Sequence, residues 1–354
     1  MVNRAPRLFS KPLAAYPLVL TTLLCVSAFT TPCSMAQSAK ELLKGEFSDV
    51  LGSLRSGTGD PKESNEKLQL KQFSVKSNGV DRIFFVHLPP SYTGKAAMPL
   101  VLAFHGAGSH ARAMPKLTGL NQCADQHSFI VVYPDGLNTH WNDGNGGKTK
   151  PELEDVDFVK VMLNQISKQY KIDKSRIYAG GMSNGGFFSQ YLALTLPGTF
   201  AAIASVAASL EIPMYTKLKS EKPISVLLIH GDDDDVVPFT GGSIGVSGVM
   251  DEKTVRKCTS AAQAVQFWVK ADQCSDKNCT TGVTDAKPKD GTQALRKVYS
   301  GGKDGVEVVS ITVLNGGHTW PGGWQYLPEA IVGKTSRAVN ATDEMWNLFQ
   351  RHHL

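Results

Sequence analysis

Short apolar runs separated by longer mixed segments dominate the chain from Leu68 onward. Uninterrupted apolar runs predict strands that are buried on both faces, as at Pro99–Phe104 and Phe129–Tyr133. A further strand is predicted at Ile224–Ile229, where only Ser225 is polar. Apolar residues at helical spacing lie between such runs, most clearly in Glu154–Tyr170. The alternation predicts the α/β class, with a mostly parallel central sheet and helices on both faces.

The same criteria define the remaining elements and the domain organisation. Further strands are predicted at Arg82–Leu88, Arg176–Ala179, Ala201–Ala207 and Val306–Leu314, and further helices at Gly186–Leu196, Glu252–Ala271 and Ala338–His352. No internal repeat or low-complexity tract interrupts them. We therefore expect one folded domain at 68–354, preceded by a loosely ordered lead-in at 37–67.

The first 36 residues have the pattern of an export signal. A basic stretch from Arg4 to Lys11 precedes an apolar run from Pro17 to Phe29, and Ser34-Met35-Ala36 offers a small-x-small cleavage site. An apolar run of about 13 residues is too short to span a bilayer, so a membrane anchor is not expected. The pattern predicts a secreted protein with residues 1–36 removed.

The charge balance excludes some partners. The formal net charge is +5, but the leader carries Arg4, Arg7 and Lys11 and no acidic residue, so cleavage leaves +2. A nearly neutral chain without a Lys/Arg cluster gives no electrostatic basis for binding nucleic acid or an anionic membrane.

The number of cysteines is consistent with export. Two of the six fall in the leader, which leaves Cys123, Cys258, Cys274 and Cys279. An even number in an exported chain favours two disulfides, with Cys274 and Cys279 closing a small loop and Cys123 left for Cys258, although three pairings are possible. A zinc site is the alternative, but the close pair has no histidine neighbours, so no metal is expected.

The strongest local motif is Gly181-Met182-Ser183-Asn184-Gly185, a G-x-S-x-G sequence. Because it lies between a strand and a helix, it fits the sharp turn that exposes a nucleophilic serine in the α/β-hydrolase fold. A second match at Gly241–Gly245 has no preceding strand and lies in a Gly/Ser-rich segment, so Ser243 is expected to occupy a surface loop. Ser183 is the predicted nucleophile.

A nucleophilic serine needs a base and an acid, which in this fold follow in the order Ser, Asp/Glu, His. Four histidines follow Ser183. His352 and His353 are expected in a frayed terminus, and His230 leaves little room for an acid before it. His318, in a Gly-rich loop after a predicted strand, is therefore the predicted base.

The acid should follow the strand Ile224–Ile229, where His230 and Gly231 lead into four consecutive aspartates. The apolar Val236 and Val237 must turn back into the protein, which favours an inward aspartate close to them. Spacing alone does not choose between Asp234 and Asp235.

Two backbone N–H groups should stabilise the charge that develops on a substrate oxygen. One belongs to Asn184, which follows the nucleophile. The other is expected from Ala107, in the small-residue loop after the strand Pro99–Phe104. An ordinary glycine turn is the alternative for that loop.

At these residues the chain resembles the secreted esterases of carbohydrate esterase family 1, including feruloyl and acetylxylan esterases, and the related polyhydroxybutyrate depolymerase-like proteins. The shared segments occur in the family's order over about three quarters of the chain. They are PLVLAFHGAG, FIVVYPDG with the later Trp141-Asn142, EDVDF, RIYAGGMSNGGFFSQYLA, HGDDDDVVPF and GGHTWPGG.

The resemblance implies several roles that spacing left open. The motif HGxxDxVVP places its acid at Asp234. Trp141 and Trp320 become candidates for the wall of a substrate pocket, with buried core aromatics as an equal alternative. Asp155, in EDVDF, is expected to be structural rather than catalytic.

On the substrate the resemblance is less specific. The sequence pattern predicts no separate surface-binding domain, and Ala107 stands where depolymerases often carry cysteine. Soluble esters are therefore expected rather than solid polyester: hydroxyalkanoate oligomers, or feruloyl and acetyl groups on polysaccharide. A serine peptidase of the same fold and a non-catalytic binding protein are the alternatives. No cofactor is expected.

Overall fold

The computed structural model describes residues 65, 67–145, 154–245, 256–283 and 288–354. All of them fall within a unit spanning Phe47–Leu354. The predicted export signal and nearly all of the lead-in lie outside the described residues. Within the described ranges, no helix combines the length and apolarity needed to cross a bilayer.

Ten of the twelve strands in the described ranges join in one sheet. The strands are β1 (Lys71–Ser77), β2 (Val80–His87), β3 (Met98–Phe104), β4 (Ile130–Pro134), β5 (Ile172–Met182), β6 (Ala202–Val206), β7 (Ser225–Gly231), β8 (Gly242–Ser243), β9 (Lys257–Cys258), β10 (Cys279–Val283), β11 (Gln293–Tyr299) and β12 (Val308–Leu314). The sheet order is β1-β2-β4-β3-β5-β6-β7-β12-β11-β10, and β8 pairs with β9 separately.

The six inner strands, from β4 to β12, run parallel, and the strands at both edges are antiparallel. Every residue of β4, β6 and β7 is buried, as expected for parallel strands covered on both faces. Because these strands are parallel, their carboxyl ends meet at one edge, where the loops after β3, β5, β7 and β12 converge.

Helices cover both faces of the sheet. They are α1 (Met114–Thr118), α2 (Leu120–His127), α3 (Asp155–Gln169), α4 (Asn184–Thr195), α5 (Ile212–Lys217), α6 (Ala261–Ala271), α7 (Glu329–Val332) and α8 (Ala341–Phe349). Side chains of α3, α4 and α6 pack into one hydrophobic core, and those of α1, α2 and α8 pack into another on the opposite face. The α/β prediction is confirmed.

Some predicted bounds are corrected. The helix expected from Glu252 begins at Ala261: residues 252–255 lie outside the described ranges, and Lys257–Cys258 is a strand. Ser260 caps this helix, because its hydroxyl accepts the Gln263 N–H while the Gln263 side chain accepts the Ser260 N–H. β1, β10 and β11 were not predicted.

The cysteines are also corrected, because all four in the described ranges are free thiols. Cys123 packs into the core on one face of the sheet and Cys258 into the core on the other, so the predicted Cys123–Cys258 disulfide is wrong. Cys274 and Cys279 are half-buried and likewise unbridged. Burial raises the pKa of both Cys123 and Cys258 to about 12, which keeps these thiols protonated.

Candidate active site

Ser183 occupies a strained turn between β5 and α4, with φ 54° and ψ −124°. The turn requires glycines on both sides. A Cβ at Gly181 would lie 2.6 Å from the carbonyl oxygen of Phe104, and one at Gly185 would collide with the same atom. The Ser183 N–H donates to the Val206 carbonyl (2.8 Å), which ties the turn to β6. This is the strand-turn-helix arrangement that presents a nucleophile.

The second G-x-S-x-G match has different surroundings. Ser243 is exposed in β8, a two-residue strand, and no helix follows it in the described residues up to Gly245. The structure therefore gives this serine no nucleophile turn.

Asp234 and His318 are in direct contact. His318 Nδ1 lies 2.8 Å from Asp234 Oδ2, and the N–H groups of Val236 and Val237 donate to Asp234 Oδ1 at 2.9 and 2.8 Å. Of the four consecutive aspartates only Asp234 is buried, and Asp235 is exposed. Burial alone would raise the pKa of Asp234, but the contacts with His318 and His230 outweigh it and hold that pKa below its usual range.

Backbone contacts hold the acid and base loops together. The Asp233 N–H donates to the Gly316 carbonyl and the Asp232 N–H to the Val313 carbonyl, both at 3.0 Å. A Cβ at Gly231 would collide with the Gly316 carbonyl oxygen. We call residues 231–234 and 316–318 the acid–base latch. It follows from the parallel pairing of β7 with β12, which places the ends of the two strands side by side.

His230 flanks Asp234 on another side. Its Nε2 lies 2.9 Å from the Val237 carbonyl oxygen and 3.4 Å from Asp234 Oδ2. This ring therefore supports the acid rather than competing with His318 as the base.

His352, which was also rejected as the base, is not frayed, contrary to expectation. His352 Nε2 lies 3.0 Å from Glu307 Oε1, and the Leu354 N–H donates to the Ser175 carbonyl (2.9 Å). Glu307 directly precedes β12 and Ser175 lies early in β5. The terminus is thus held at the amino-terminal edge of the parallel strands, opposite Ser183.

The predicted N–H donors lie in suitable backbone settings. Asn184 is the first residue of α4, where a backbone N–H has no acceptor within its own helix. Ala107 is the second residue of a turn closed by the Ser109 N–H and the Gly106 carbonyl (3.1 Å). Gly108 follows with φ +76°, a conformation that favours glycine at this position of a turn. The Ala107 N–H takes no part in closing the turn.

His105 fixes the turn that carries Ala107. Because the Gly136 N–H donates to Nε2 (2.9 Å), the ring hydrogen is on Nδ1, which donates to the Gly106 carbonyl (2.8 Å). Burial lowers the pKa of His105 to about 4 despite the opposing charge of Asp135, so the ring is neutral at pH 7. Sequence reasoning did not identify this residue as part of the site.

A cleft of about 70 Å³ lies between the nucleophile and the base. Ser183, His318 and Ala107 line it together with the aromatic side chains of Trp324 and Tyr326. The remaining lining residues are Gly106, Gly108, Ser109, Ala113, Leu117 and Met182.

The two tryptophans proposed as pocket walls are not in this cleft. Trp141 and Trp320 are each 1% exposed. Trp141 stacks on Phe188 at 5.2 Å, and Trp320 Nε1 donates to Thr342 Oγ1 (3.0 Å). Both are core residues, so the pocket-wall interpretation is corrected and Trp324 takes that position.

A larger cavity of about 360 Å³ lies between α6 and strands β7, β11 and β12. It reaches His230 but neither Ser183 nor His318, so the smaller cleft is the one with the reactive groups.

Asp155 has the structural surroundings that were expected. Its Oδ1 forms a buried ion pair with Arg82 (2.6 Å), and its Oδ2 accepts the Asn142 N–H (2.7 Å). Among the described residues, no group of three or more His, Cys, Asp and Glu side chains could hold a metal ion.

The fold and the contacts at Ser183, Asp234 and His318 together define the class: a serine hydrolase of the α/β-hydrolase fold. Residues 76–326 match the family described as "Putative esterase". The chain therefore belongs to this esterase family, whose members are carboxylic ester hydrolases, and the expected esterase resemblance is confirmed. The polyhydroxybutyrate depolymerase part of that resemblance stays a prediction.

Several curated proteins are similar to the chain. "Putative esterase NocK" from Nocardia uniformis subsp. tsuyamanensis is 32% identical over 271 residues, which cover 75% of this chain and 78% of that protein. Feruloyl esterase B from Piromyces equi is 28% identical over 255 residues, 70% of this chain. A bifunctional acetylxylan esterase/xylanase from Neocallimastix patriciarum is 27% identical over 166 residues, 46% of this chain. The chain spans 45% and 23% of the lengths of the last two.

A solved structure supports the fold. An acetyl xylan esterase from Aspergillus awamori superposes with a TM-score of 0.52 at 13% sequence identity, covering 70% of this chain and 94% of that one.

Proposed function

We propose that this chain is an exported serine ester hydrolase that acts through an acyl-enzyme, with short acyl esters of polysaccharide as its substrates. The observation that carries the proposal is the shared cleft: Ser183 and His318 both line it, and the contact of His318 Nδ1 with Asp234 leaves Nε2 for the serine. The strained turn at Ser183 supports the same role.

The reaction has two balanced steps. His318 Nε2 takes the Ser183 hydroxyl proton as Oγ attacks the ester carbonyl carbon, and it then gives that proton to the departing alcohol. Water, deprotonated by the same nitrogen, attacks the acyl-enzyme, and the nitrogen returns that proton to Ser183 Oγ as the bond to the acyl group breaks and the acid leaves. Asp234 keeps the ring hydrogen on Nδ1 and stabilises the imidazolium. The N–H groups of Ala107 and Asn184 stabilise the oxyanion in both steps.

The cleft size favours a small acyl group. Its volume is about 70 Å³, whereas pockets for larger ligands hold roughly 300–1,000 Å³. An acetyl group is small enough for this space, whereas a feruloyl group is larger. Feruloyl esters are the second candidate, because Trp324 and Tyr326 offer aromatic surfaces and a similar protein is named a feruloyl esterase.

A substrate panel tests the proposal. Acetylated xylan, methyl ferulate and a hydroxybutyrate oligomer are compared by initial rate, with Ser183→Ala as the control. We expect the highest kcat/KM for the acetyl ester and no turnover by Ser183→Ala. Faster release of ferulate or hydroxybutyrate would contradict the acyl-size argument, and preferential cleavage in a peptide panel would favour a peptidase. Failure of a fluorophosphonate to label Ser183 would favour a binding protein.

Trp324, which lines the cleft, provides a variant that tests the acyl-size argument. Trp324→Ala removes an aromatic ring from the cleft, and we expect the ratio of feruloyl to acetyl turnover to rise. An unchanged ratio would show that this ring does not select the acyl group.

Export is a separate part of the proposal, supported by the leader pattern in the sequence. Expression of the full chain in a bacterium, followed by amino-terminal sequencing of the exported fraction, should give a start at Gln37, after Ala36. Recovery of the intact amino terminus in the cytoplasm would contradict it.

A further inference from the structure

The side chain of Asn184 is tied to residues 141–143. Its Oδ1 accepts the Trp141 N–H (2.7 Å), and its Nδ2 donates to the Trp141 carbonyl (3.1 Å) and to Asp143 Oδ2 (2.5 Å). Asn184, Trp141 and Asp143 are all buried. Three of the four hydrogen-bonding positions of the carboxamide are therefore used, two by Trp141 and one by Asp143.

Trp141 also contacts the loop that carries the other donor. Its Nε1 donates to the His105 carbonyl (3.0 Å), two residues before Ala107. The ring is fixed by stacking on Phe188 and by an edge contact with Phe104 at 5.2 Å. One side chain and its own backbone thus connect the two segments that present the oxyanion donors.

Asp143 is also held by charge, at the same oxygen that accepts the Asn184 Nδ2 hydrogen. Arg256 forms ion pairs with Asp143 Oδ2 and with Glu211, both of which are buried. Asp143 Oδ1 is buried with no hydrogen-bond partner among the described residues. A buried ion pair with one unsatisfied oxygen is poor evidence for stabilisation of the fold. The hydrogen bond from Asn184 Nδ2 to Asp143 Oδ2 instead connects this ion pair to a residue that carries an oxyanion donor.

We propose that Trp141 and Asp143 are positioning residues for the reaction, which set the distance between the oxyanion donors of Ala107 and Asn184. We call residues 141–143 the oxyanion clamp. The inference rests on the proposed function, because it assigns the clamp to the hydrolytic site. Backbone donors stabilise a tetrahedral intermediate only within about 2.7–3.1 Å of the oxyanion. A displacement of about 1 Å can reduce turnover by about 100-fold.

The principal test is Trp141→Phe, which keeps an aromatic ring on Phe188 and removes the N–H that reaches His105. The matched control is Trp268→Phe. Trp268 is equally buried, and its Nε1 donates to Gln190 Oε1 (2.9 Å), away from the cleft. Both variants lose one buried indole hydrogen bond, so their thermal midpoints should fall by similar amounts. Only Trp141→Phe should lose turnover.

The expected kinetic result is a kcat lower by about 10- to 100-fold with KM changed by less than about threefold, since the donors act in the transition state. Affinity for a trifluoromethyl ketone, which forms a tetrahedral adduct with the serine, should fall in parallel with kcat. Affinity for the product acid should not change.

Asp143 gives a second and independent comparison. Asp143→Asn keeps an acceptor for Asn184 Nδ2 and should retain most of the turnover, whereas Asp143→Ala should behave like Trp141→Phe. If Trp141→Phe does not fold, Asn184→Ala replaces it, because that variant keeps the backbone N–H and loses only the clamp contacts.

Two outcomes would overturn the inference: equal kcat for Trp141→Phe and Trp268→Phe, or a loss of kcat without weaker binding of the ketone. The wild-type chain separates this failure from failure of the proposed function. Absence of wild-type ester turnover and of Ser183 labelling rejects the function itself, whereas an active wild type with an equally active Trp141→Phe rejects only the clamp.

Discussion

Replacing Asp234 by asparagine exchanges one carboxylate oxygen for an NH₂ group and leaves the volume of the side chain almost unchanged. In the wild type, Oδ1 accepts the N–H groups of Val236 and Val237, and Oδ2 faces His318 Nδ1. The asparagine oxygen must stay on the two backbone donors, because an NH₂ group there would leave two buried N–H groups unpaired. The NH₂ group is then directed at His318 Nδ1.

That orientation changes the tautomer of His318. Facing a donor, Nδ1 becomes an acceptor and the ring hydrogen moves to Nε2, which can no longer take the Ser183 proton. Loss of the acid in this arrangement reduces kcat by about 10⁴-fold in a comparable triad, which corresponds to about 5 kcal/mol of transition-state stabilisation. We expect Asp234→Asn to lower kcat at pH 7 by about 10³- to 10⁴-fold with the fold intact.

The assay is hydrolysis of an aryl acetate, with circular dichroism to confirm folding. Asp235→Asn is the matched control, since it makes the same chemical change at the adjacent, exposed aspartate. Its kcat should stay within about twofold of the wild type, as for an ordinary surface substitution. A severe loss in Asp235→Asn together with a mild one in Asp234→Asn would refute the assignment of the acid.

Three further variants test other parts of the structure. Gly185→Ala puts a Cβ against the Phe104 carbonyl and should cost about 2 kcal/mol or more of stability together with most of the activity, so an unchanged thermal midpoint would contradict the strained turn. Ser243→Ala should leave kcat/KM within about twofold of the wild type, and a large loss would mean that the wrong serine was chosen. Burial raises the pKa of Asp272 to about 7, above its ordinary 3.8, although the Ile224 N–H opposes the shift. Wild-type stability should therefore fall as pH rises from about 4 to about 7. Asp272→Asn should remove this fall, with a higher midpoint than the wild type at pH 8 and a similar one at pH 4; parallel melting curves at both pH values would contradict the assignment.

The centre of the fold was predictable because its strands are buried on both faces and appear as uninterrupted apolar runs. The edge strands were not. β10 is exposed along most of its length and β11 mixes buried and exposed positions, so neither carries an apolar run. β11 pairs with β12 and β10 pairs with β11, and sequence periodicity does not encode this pairing.

The residues of the site also differ in how far the sequence alone could predict them. Ser183 and His318 followed from local motifs and chain order, because the strained turn and the glycine-rich loop are each encoded within a few residues. The choice of Asp234 over Asp235 depended on a family motif, and the structure shows the backbone donors that distinguish them.

The role of Trp141 could not be read from sequence. A tryptophan in a cleft and one in the core have the same local pattern, and only the tertiary structure places its indole against His105. The pairing of Asp143 with Arg256, 113 residues apart, has no sequence signal of its own. It depends on the approach of the residue directly before β9 to the loop after β4.

The order of the strands sets the separation between Ser183 and its catalytic partners. Ser183 follows β5, whereas the acid–base latch follows β7 and β12, so β6 stands between the nucleophile and its partners. Main-chain hydrogen bonds continue across this gap, from the Ser183 N–H to Val206 and from the Ala207 N–H to Ile229, each 2.8 Å long. A strand that contributes no reactive side chain therefore acts as the spacer of the catalytic machinery. Its width is set by the backbone pairing of neighbouring strands and not by a reactive side chain.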